Sequence, residues 1–252
     1  PQSGSDASNM ITFAEKKRDY YIINGTKNWV TSGENSDLVI FFCLTEKGKG
    51  YKGVSAFIVE KGTSGLKIGK KEDKLGLRAS DTCELYFENC RLPKENLIGK
   101  EGQGFLIAMQ ALGGGRIGIA SQSIGLAQSA LDKAVNYSKE RKQFGKSIGS
   151  FGAIRNKLAD IATDVSAGRL LVWYAAYLKD QGKDYLKESS MAKLFASSTA
   201  TKAASECVQI HGGYGYMQEY GVERLMRDAK ITEIYEGTSE IQKLVIARSL
   251  LE

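Results

Sequence analysis

The sequence has few of the residues that build metal sites and disulfide frameworks. It contains a single histidine, His211, and four cysteines with no C-x-x-C spacing. One histidine cannot complete a His-rich metal site, and cysteines without paired spacing are typical of reduced, structural thiols. We therefore expect no metal cofactor and no metal-dependent chemistry.

Long apolar runs are also missing. No hydrophobic segment approaches the roughly 20 residues of a membrane-spanning helix, and no charged-then-apolar leader opens the chain. Hydrophobic residues make up 42% of the 252 residues, which is enough to bury a core in two domains. We expect a soluble globular protein without membrane insertion, and Pro1 at the first position indicates a fragment or a processed product.

Concentrated positive charge is absent as well. The formal net charge is +6, but lysines and arginines are mixed with acids, as in Lys67 to Lys74, which includes Glu72 and Asp73. Such mixing is typical of a solvated surface, and no stripe of basic and aromatic residues suits single-stranded nucleic acid. We expect no nucleic-acid partner, whereas an anionic, nucleotide-containing ligand agrees with the excess charge.

From Met10 to Pro93 the sequence is typical of strands and turns. Runs of β-branched and aromatic residues predict strands at Leu38–Leu44, Val54–Val59 and Glu84–Phe87. Asn24-Gly25 after an apolar run predicts a hairpin, since Asn-Gly readily forms a tight primed turn. This part is predicted to be a small all-β unit.

After Gly104 the apolar residues recur at helical spacing. Helices are predicted from Arg116 to Ser138, around Ile154 to Val165, from about Tyr185 to Val208 and, shorter, before Arg227. Four antiparallel helices with short connections form a bundle. The predicted fold is a small antiparallel β-barrel domain, residues 1–98, followed by an up-down four-helix bundle, residues 99–252.

The segment around Glu236 suits the removal of a proton from carbon. Glu236 follows an Ile-Tyr pair, and an apolar setting raises the pKa and the basicity of a carboxylate. Gly237 removes side-chain bulk, so a planar group can approach a backbone N–H that stabilises a developing oxyanion. The alternative is that Glu-Gly-Thr-Ser is only a helix start, capped by Thr238 or Ser239.

Seven segments carry recognisable motifs along nearly the whole chain. They are Ser3-Gly-Ser-Asp6, Asn24-Gly-Thr-Lys-Asn-Trp-Val-Thr31, Lys71-Glu-Asp-Lys-Leu-Gly-Leu-Arg78, Gly115-Arg-Ile-Gly-Ile-Ala120, Glu140-Arg-Lys-Gln-Phe-Gly145, Gln209-Ile-His-Gly-Gly-Tyr-Gly215 and Arg227-Asp-Ala-Lys-Ile-Thr-Glu-Ile-Tyr-Glu-Gly-Thr238. In their order and spacing these segments resemble the acyl-CoA dehydrogenase family. The detail around Arg227 to Gln242 is most similar to the short-chain and short/branched-chain members.

The resemblance implies a three-domain protein of which this chain carries the middle β-domain and the C-terminal helical domain. The implied reaction is α,β-dehydrogenation of a short or short branched acyl-CoA thioester. Glu236 would take the α-proton, and the β-hydride would pass to FAD and its electrons to an electron-transfer flavoprotein. The Glu236 N–H and a flavin ribityl hydroxyl would hold the thioester carbonyl. The chain then starts inside the loop of Ser3 to Asp6, and without the first domain we expect it to be a poor dehydrogenase.

The resemblance also implies the cofactor-binding residues. Trp29, Val30 and Thr31 match the positions beside the flavin ring, and Ser5 matches a loop touching both FAD and CoA. The remaining FAD contacts, several of them to a neighbouring subunit's cofactor, are Arg141, Gln143, Phe144, Gln209, Ile210, His211, Gly212, Gly213, Thr238, Ser239 and Glu240. His211 lies within its segment as a bystander, because similar relatives carry apolar residues there.

Each of these matches has a structural alternative. Trp29 fits a β core as an aromatic strand residue, and the residues from Ser3 to Asp6 fit an ordinary turn. Arg141 fits a charged helix end, and Gly212-Gly213 fits a simple helix C-cap.

The implied substrate contacts are Ser5, Gly113, Gly114, Gly115, Arg116 and Gly237. Two positions depart from the family pattern. Gly113 stands where members often carry an aspartate that contacts CoA, and Gly152 stands where relatives carry a glutamine that contacts FAD. We expect those contacts to be lost or taken over by other residues.

Three other activities are compatible with parts of this pattern. An enoyl-CoA reductase would use the same residues in reverse, an acyl-CoA oxidase would usually carry a longer C-terminal extension, and a DNA-binding or scaffold homologue would keep FAD without the base. Retention of Glu236 argues against the last. The resemblance implies a homotetramer built as a dimer of dimers, in the mitochondrial matrix of a eukaryote or the cytoplasm of a bacterium. It implies a role in fatty acid β-oxidation or branched-chain amino acid catabolism.

Overall fold

The computed structural model describes residues 3–252 and divides into two compact units, Pro1–Ala111 and Leu112–Glu252. The division falls inside the first long helix. The predicted boundary between residues 98 and 99 precedes that helix and stays a prediction.

The first unit is built around one seven-stranded sheet. The strands are β1 (Phe13–Lys16), β2 (Tyr20–Thr31), β3 (Leu38–Leu44), β4 (Val54–Glu60), β5 (Leu66–Lys71), β6 (Thr82–Pro93) and β7 (Leu97–Ile98). Their order is β5-β6-β2-β1-β3-β4-β7, and every pairing is antiparallel except the short parallel pairing of β1 with β3. The three strands predicted from β-branched and aromatic runs are confirmed.

The sheet buries one aromatic and aliphatic core. Alternate residues of the strands face inward, as the two-residue period of a strand requires. Phe57 packs against Tyr21 and Phe41, with ring centroids 4.9 and 5.8 Å apart, and Phe41 lies 4.5 Å from Phe87. All four rings are at most 3% exposed, so they form the centre of this unit.

The predicted hairpin turn at Asn24-Gly25 is wrong. Both residues lie inside β2, where the register against β6 shifts between Ile23 and Gly25. Gly25 has φ +142°, and a methyl group there would lie 2.7 Å from Thr12 Oγ1. The Asn-Gly pair therefore serves a bulge, with Asn24 accepting a hydrogen bond from the Asn89 N–H at 2.8 Å.

The second unit is helical, and the long helices begin earlier or end later than their predicted spans. Its main helices are α1 (Gly104–Glu140, which begins in the first unit), α2 (Gly152–Asp180), α3 (Leu186–His211), α4 (Val222–Lys230) and α5 (Ser239–Leu251). The described residues thus contain five α-helices rather than the predicted four. The fifth begins at Ser239, where Thr238 caps it by accepting a hydrogen bond from the Ile241 N–H.

Helix α3 lies at the centre of this unit. It packs against α2, α4 and α5, and its buried face consists mostly of small residues such as Ala196, Ala200 and Ala204. Small side chains allow close helix approach, and Ile161, Val165 and other aliphatic residues of the neighbouring helices complete the core. The prediction of a mostly antiparallel β unit followed by a helical unit is confirmed.

Between α1 and α2 the chain forms a two-stranded hairpin that the sequence did not predict. Strands β8 (Lys142–Gln143) and β9 (Lys146–Ser147) pair around the two-residue loop Phe144-Gly145. Both loop residues have positive φ, +53° and +78°, as a primed hairpin turn requires.

Candidate active site

Glu236 lies in a strained turn between a short 3₁₀ segment, Ile231–Glu233, and α5. The φ angles of Glu236 and Gly237 are +54° and +92°. A left-handed backbone is ordinary for glycine but costs about 1–3 kcal/mol at a residue with a side chain. Such strain persists only where surrounding contacts hold it, and it is common at functional sites.

Two buried side chains supply those contacts. Lys193 Nζ donates a hydrogen bond to the Gly237 carbonyl at 2.7 Å. Gln242 Nε2 donates to the carbonyls of Glu236 and Gly237 at 3.1 and 2.9 Å. Lys193 and Gln242 are both completely buried, so these bonds do not compete with bulk water.

The Glu236 carboxylate is half-buried against α1. A methyl group at Gly115 would lie 2.5 Å from Glu236 Oε2, so only glycine leaves room for the carboxylate there. Burial raises the pKa of Glu236, while the charges of Arg116 and Lys193 oppose that rise. The result is a carboxylate more basic than an exposed one and still beside positive charge, which suits a base acting on a C–H bond.

The backbone N–H of Glu236 is available to a ligand. Within the described residues it donates to no acceptor, although the N–H groups of Ile234 and Tyr235 both bond to the Ile231 carbonyl. The Tyr235 hydroxyl donates a hydrogen bond to Gln122 Oε1 on α1 at 2.5 Å. This bond fixes Tyr235, the residue that precedes Glu236, to α1. A free N–H and a basic carboxylate on one residue can serve a carbonyl oxygen and the carbon next to it.

Arg116 is a second buried cation near Glu236. It is 5% exposed, and its Nη1 donates to Ser190 Oγ at 3.1 Å. Its Nε has no hydrogen-bond partner among the described residues. Burial lowers the pKa of Arg116 and the charge of Glu236 raises it. The predicted substrate residue thus carries one unused donor in the interior.

Six of the predicted cofactor residues come together around one cleft of about 420 Å³. They are Arg141, Gln143, Ile210, His211, Gly212 and Gly213. Tyr137 and Tyr214 also line the cleft, and the Arg141 guanidinium lies 5.2 Å from the centre of the Tyr214 ring. Aromatic faces beside a guanidinium suit a nucleotide, with rings for its base and a planar cation for its phosphates.

His211 belongs to the wall of this cleft. It is 6% exposed, its Nδ1–H donates to the Cys207 carbonyl at 2.8 Å, and its ring stacks on Tyr137 at 4.1 Å. Burial lowers the pKa of His211, which favours the neutral ring. The structure therefore gives the single histidine a packing role.

Two other predicted cofactor residues do not line this cleft. Gln209 is exposed on the last turn of α3. Phe144 is 92% exposed at the hairpin tip, with its ring edge-on to Phe151 at 6.1 Å. The primed hairpin turn accounts for the positive φ of Phe144, and the outward ring is accessible to an external contact.

The start of α5 borders a second cavity, of about 550 Å³. Thr238, Ser239 and Glu240 line it together with Lys230 and Lys243. Lys230 is paired with Glu233, another lining residue, at 2.7 Å, and the Thr238 hydroxyl caps the helix. The interpretation of Glu-Gly-Thr-Ser as a helix start and its interpretation as a catalytic segment are therefore both compatible with the structure.

In the first unit, the predicted flavin residues lie at an irregularity of β2. The register against β6 shifts between Lys27 and Val30, and Trp29 in this bulge has φ +58°. Its side chain is 69% exposed, so Trp29 is not a core aromatic residue. Thr31 ends the strand and is exposed, and Ser5 is exposed in the N-terminal loop.

The two positions that depart from the family pattern, Gly113 on α1 and Gly152 on α2, differ in their surroundings. A methyl group at Gly113 would lie 3.3 Å from the Tyr185 hydroxyl, and one at the neighbouring substrate position Gly114 would lie 3.1 Å from Lys179 Nζ. Gly152 begins α2, and a methyl group there would meet no described atom within 4 Å.

Sequence reasoning missed Lys193 and Gln242. The signal for Lys193 was its position on the helix face of Ala196, Ser197 and Ala200, all of which are buried. A lysine in such a face needs an internal partner. Gln242 gave no comparable signal, because one amide in an amphipathic helix is usually exposed.

Two further findings concern metals and membranes. Across residues 3–252 no group of three or more His, Cys, Asp or Glu side chains is placed to hold a metal ion. In the same range, no helix combines the length and apolar character needed to cross a bilayer. The four cysteines are buried thiols.

Comparison with known families matches nearly the whole chain to two models. The model described as acyl-CoA dehydrogenase, middle domain, covers residues 1–90, and the model described as acyl-CoA dehydrogenase, C-terminal domain, covers residues 102–251.

Similar proteins give the same result. The chain is 55% identical over its full length to an acyl-CoA dehydrogenase of Bacillus subtilis and 53% identical to an acryloyl-CoA reductase (NADH) of Anaerotignum propionicum, spanning 66% and 64% of their lengths. Among solved structures it matches butyryl-CoA dehydrogenase from Megasphaera elsdenii, with a TM-score of 0.99 and 49% identity. It also matches, with a TM-score of 0.99 and 52% identity, a chain in a structure of the electron transferring flavoprotein of Acidaminococcus fermentans. Both alignments include 100% of this chain and 66% of the matched chain.

Proposed function

The chain belongs to the acyl-CoA dehydrogenase family, and we propose that the protein containing it converts a short acyl-CoA thioester to the trans-2-enoyl-CoA. The observation that carries this proposal is the Glu236 turn. It combines a half-buried carboxylate of raised pKa with a free backbone N–H on the same residue. Both are what α-proton removal from a thioester requires.

In the proposed reaction, the Glu236 carboxylate accepts the proton from the α-carbon. Negative charge then develops on the thioester oxygen, and the Glu236 N–H donates a hydrogen bond to it. Arg116 and Lys193 place positive charge near the base and so favour its ionised form before the reaction. The absence of a side chain leaves room at Gly115 for the Glu236 carboxylate and at Gly237 for the Gln242 amide.

The proposed cofactor is FAD, which accepts the hydride from the β-carbon when bound. The residues fit such a group. In the second unit, the cleft of Arg141 and Tyr214 offers a cation and aromatic faces, and Gly212 and Gly213 have space around them. In the first unit, the bulge turns the Trp29 ring outward, as a flat ring system requires of a stacking partner.

We propose a short straight acyl chain as the substrate. The support is the likeness to butyryl-CoA dehydrogenase and to a short-chain-specific acyl-CoA dehydrogenase of Clostridium acetobutylicum, 51% identical to this chain. Branched chains, and with them a role in branched-chain amino acid catabolism, have no such support. Pocket depth decides between the two.

A reductase is the second candidate. The 53% identity to an acryloyl-CoA reductase favours it, because the same base and N–H catalyse the reaction in both directions. The redox potential of the electron partner sets the direction. We propose an electron-transfer flavoprotein as that partner, supported by the structure in which a similar chain occurs. Retained Glu236 argues against a non-catalytic scaffold or DNA-binding role.

We also propose self-association into a dimer of dimers, in a bacterial cytoplasm or a mitochondrial matrix. The support in this chain is an exposed apolar stripe on α2, formed by Leu170, Trp173, Tyr174 and Tyr177 at helical spacing. Each is more than half exposed, which is unusual for a monomer surface. A partner that covers this stripe removes it from water.

The test is anaerobic bleaching of the FAD-loaded protein by a panel of acyl-CoA thioesters. Butyryl-CoA is expected to bleach the flavin fastest, with slower bleaching by isobutyryl-CoA, isovaleryl-CoA and long straight chains. Faster bleaching by a branched thioester would contradict the straight-chain proposal. Loss of bleaching with every saturated thioester, together with reoxidation of reduced flavin by enoyl-CoA, would favour the reductase.

A further inference from the structure

The carbonyl groups of Glu236 and Gly237 precede α5 and are bonded by side chains of the interior. The first helical bond of α5 in this region is from the Gln242 N–H to the Thr238 carbonyl. Lys193 Nζ and Gln242 Nε2 bond the two carbonyls before it. The approach is close, since a methyl group at Gly237 would lie 2.6 Å from Gln242 Nε2. Gly237 is therefore required for the contact as well as for the positive φ.

Both side chains are costly choices for a helix interior. A fully buried amine loses its hydration, and this burial lowers the pKa of Lys193 to about 8. Gln242 is also fully buried, and its Oε1 has no hydrogen-bond partner within residues 3–252. Apolar side chains of similar volume fill such positions with less desolvation. The geometry that these two residues impose is what sets them apart from ordinary core residues.

We propose that Lys193 and Gln242 are positioning residues for the dehydrogenation proposed above. Together they hold the two peptide groups that flank Gly237, so that the Glu236 carboxylate and the Glu236 N–H act on one bound thioester. The inference depends on Glu236 being the base. Lys193 on α3 and Gln242 on α5 then hold the strained turn in its reactive conformation before the substrate binds.

The two residues differ in charge, which separates their effects. Lys193 faces Glu233, Glu236 and Glu240 as well as Arg116, and its positive charge lowers the pKa of Glu236. Removing that charge raises the pKa of Glu236, so the base becomes deprotonated only at higher pH. Gln242 is neutral, and its removal disturbs the turn without this electrostatic change.

The experiment compares Lys193→Met and Gln242→Leu in the FAD-loaded protein. We expect each to slow anaerobic flavin reduction by butyryl-CoA by about 10²-fold, because a displaced base loses its alignment with the α-carbon. The acidic limb of the rate against pH should move to higher pH in Lys193→Met and stay in place in Gln242→Leu. Matched controls are Lys202→Met, on the same helix but paired with Asp164 at 2.8 Å, and Gln128→Leu on α1.

A second measurement reports the turn directly. The thioester carbonyl stretch of bound, isotope-labelled butyryl-CoA should shift to lower frequency in the wild type and the controls, because the Glu236 N–H polarises that bond. In both variants it should return towards the value in water. A purely structural role would lower Tm or FAD content without moving the pH limb or the stretch.

Near-wild-type reduction rates with an unchanged pH limb and stretch in both variants would overturn the inference. If Gln242→Leu does not fold, Lys193→Met decides alone, since methionine matches lysine in length without needing a partner. The proposed function fails separately, when the wild type itself shows no flavin reduction by any acyl-CoA.

Discussion

Glu236 and Phe144 share an unusual backbone conformation in opposite surroundings. Both have φ near +54°, yet Glu236 is half-buried and Phe144 is 92% exposed. At Glu236 the chain's own buried side chains, Lys193 and Gln242, hold the turn. At Phe144 the hairpin pairing holds the backbone and the ring points outward. The Glu236 turn is therefore held by side chains of this chain, whereas the Phe144 ring is left open to solvent.

The largest expected effect is on the base itself. Glu236→Gln should retain FAD and fold but lose about 10²–10⁴-fold or more in the rate of flavin reduction, because an amide cannot accept the α-proton. Stopped-flow absorbance under anaerobic conditions measures the rate. A variant that reduces its flavin at a near-native rate would move the base elsewhere, with Glu240 as the next candidate.

The next effect tests how tightly the interior holds the carboxylate. Gly115→Ala places a methyl group 2.5 Å from Glu236 Oε2, so the carboxylate must move. We expect a loss of about 10²-fold in flavin reduction with little change in Tm, since the flexible end of a side chain yields before the backbone does. Gly118→Ala is the control, because a methyl group there meets no described atom within 4 Å. Equal rates for both variants would show that the carboxylate tolerates displacement.

A smaller effect is expected in the nucleotide cleft. Arg141→Ala should weaken FAD binding by about an order of magnitude or more, because a charge-assisted hydrogen bond to phosphate contributes about 1.5–3 kcal/mol. Equilibrium dialysis measures the dissociation constant. Lys142→Ala, a change of the adjacent exposed cation, is the control. Unchanged FAD binding in Arg141→Ala would remove this cleft from the cofactor site.

The smallest effect is expected at the outward-facing aromatic of the first unit. Trp29→Ala should weaken FAD binding about fivefold, since one aromatic contact contributes about 1 kcal/mol beyond burial. Its effect on Tm should be slight, because the ring is 69% exposed. Tyr51→Ala, at a ring exposed to a similar extent, should leave FAD binding unchanged. A large loss of Tm in Trp29→Ala would make the ring a structural element instead.

The sequence predicts the fold where a segment carries a clear local pattern and fails where the same residues suit two conformations. Strand β3 was recognised from its continuous run of β-branched and aromatic residues, and α1 and α2 were recognised because their apolar residues repeat at helical spacing. The Asn24-Gly25 hairpin was wrong because the same two residues also suit a bulge within a longer strand, and β2 pairs with β6 on both sides of them. The Phe144-Gly145 hairpin was missed because phenylalanine is uncommon at positive φ, so no local signal marks it.

The candidate site shows the same limit. Glu236 and Gly237 form a motif that is recognisable in a contiguous segment, and its helix-start alternative is equally visible. The side chains that bond this turn are distant in sequence or unremarkable in pattern. Lys193 lies 43 positions before Glu236, and Gln242 lies six positions after it. Both side chains bond to backbone carbonyl groups, and because every residue has a carbonyl group, the sequence does not mark these partners. Sequence patterns therefore indicate the candidate base, Glu236, but not the side chains that bond its turn.

The most direct test of the account is deuterium exchange at the α-carbon of an acyl-CoA analogue in which sulfur replaces the β-carbon. No hydride can leave this analogue, so exchange in heavy water reports proton removal alone. The FAD-loaded wild type should incorporate deuterium, and Glu236→Gln should do so at least about 10²-fold more slowly. Equal incorporation by both proteins would contradict the central claim that Glu236 removes the α-proton.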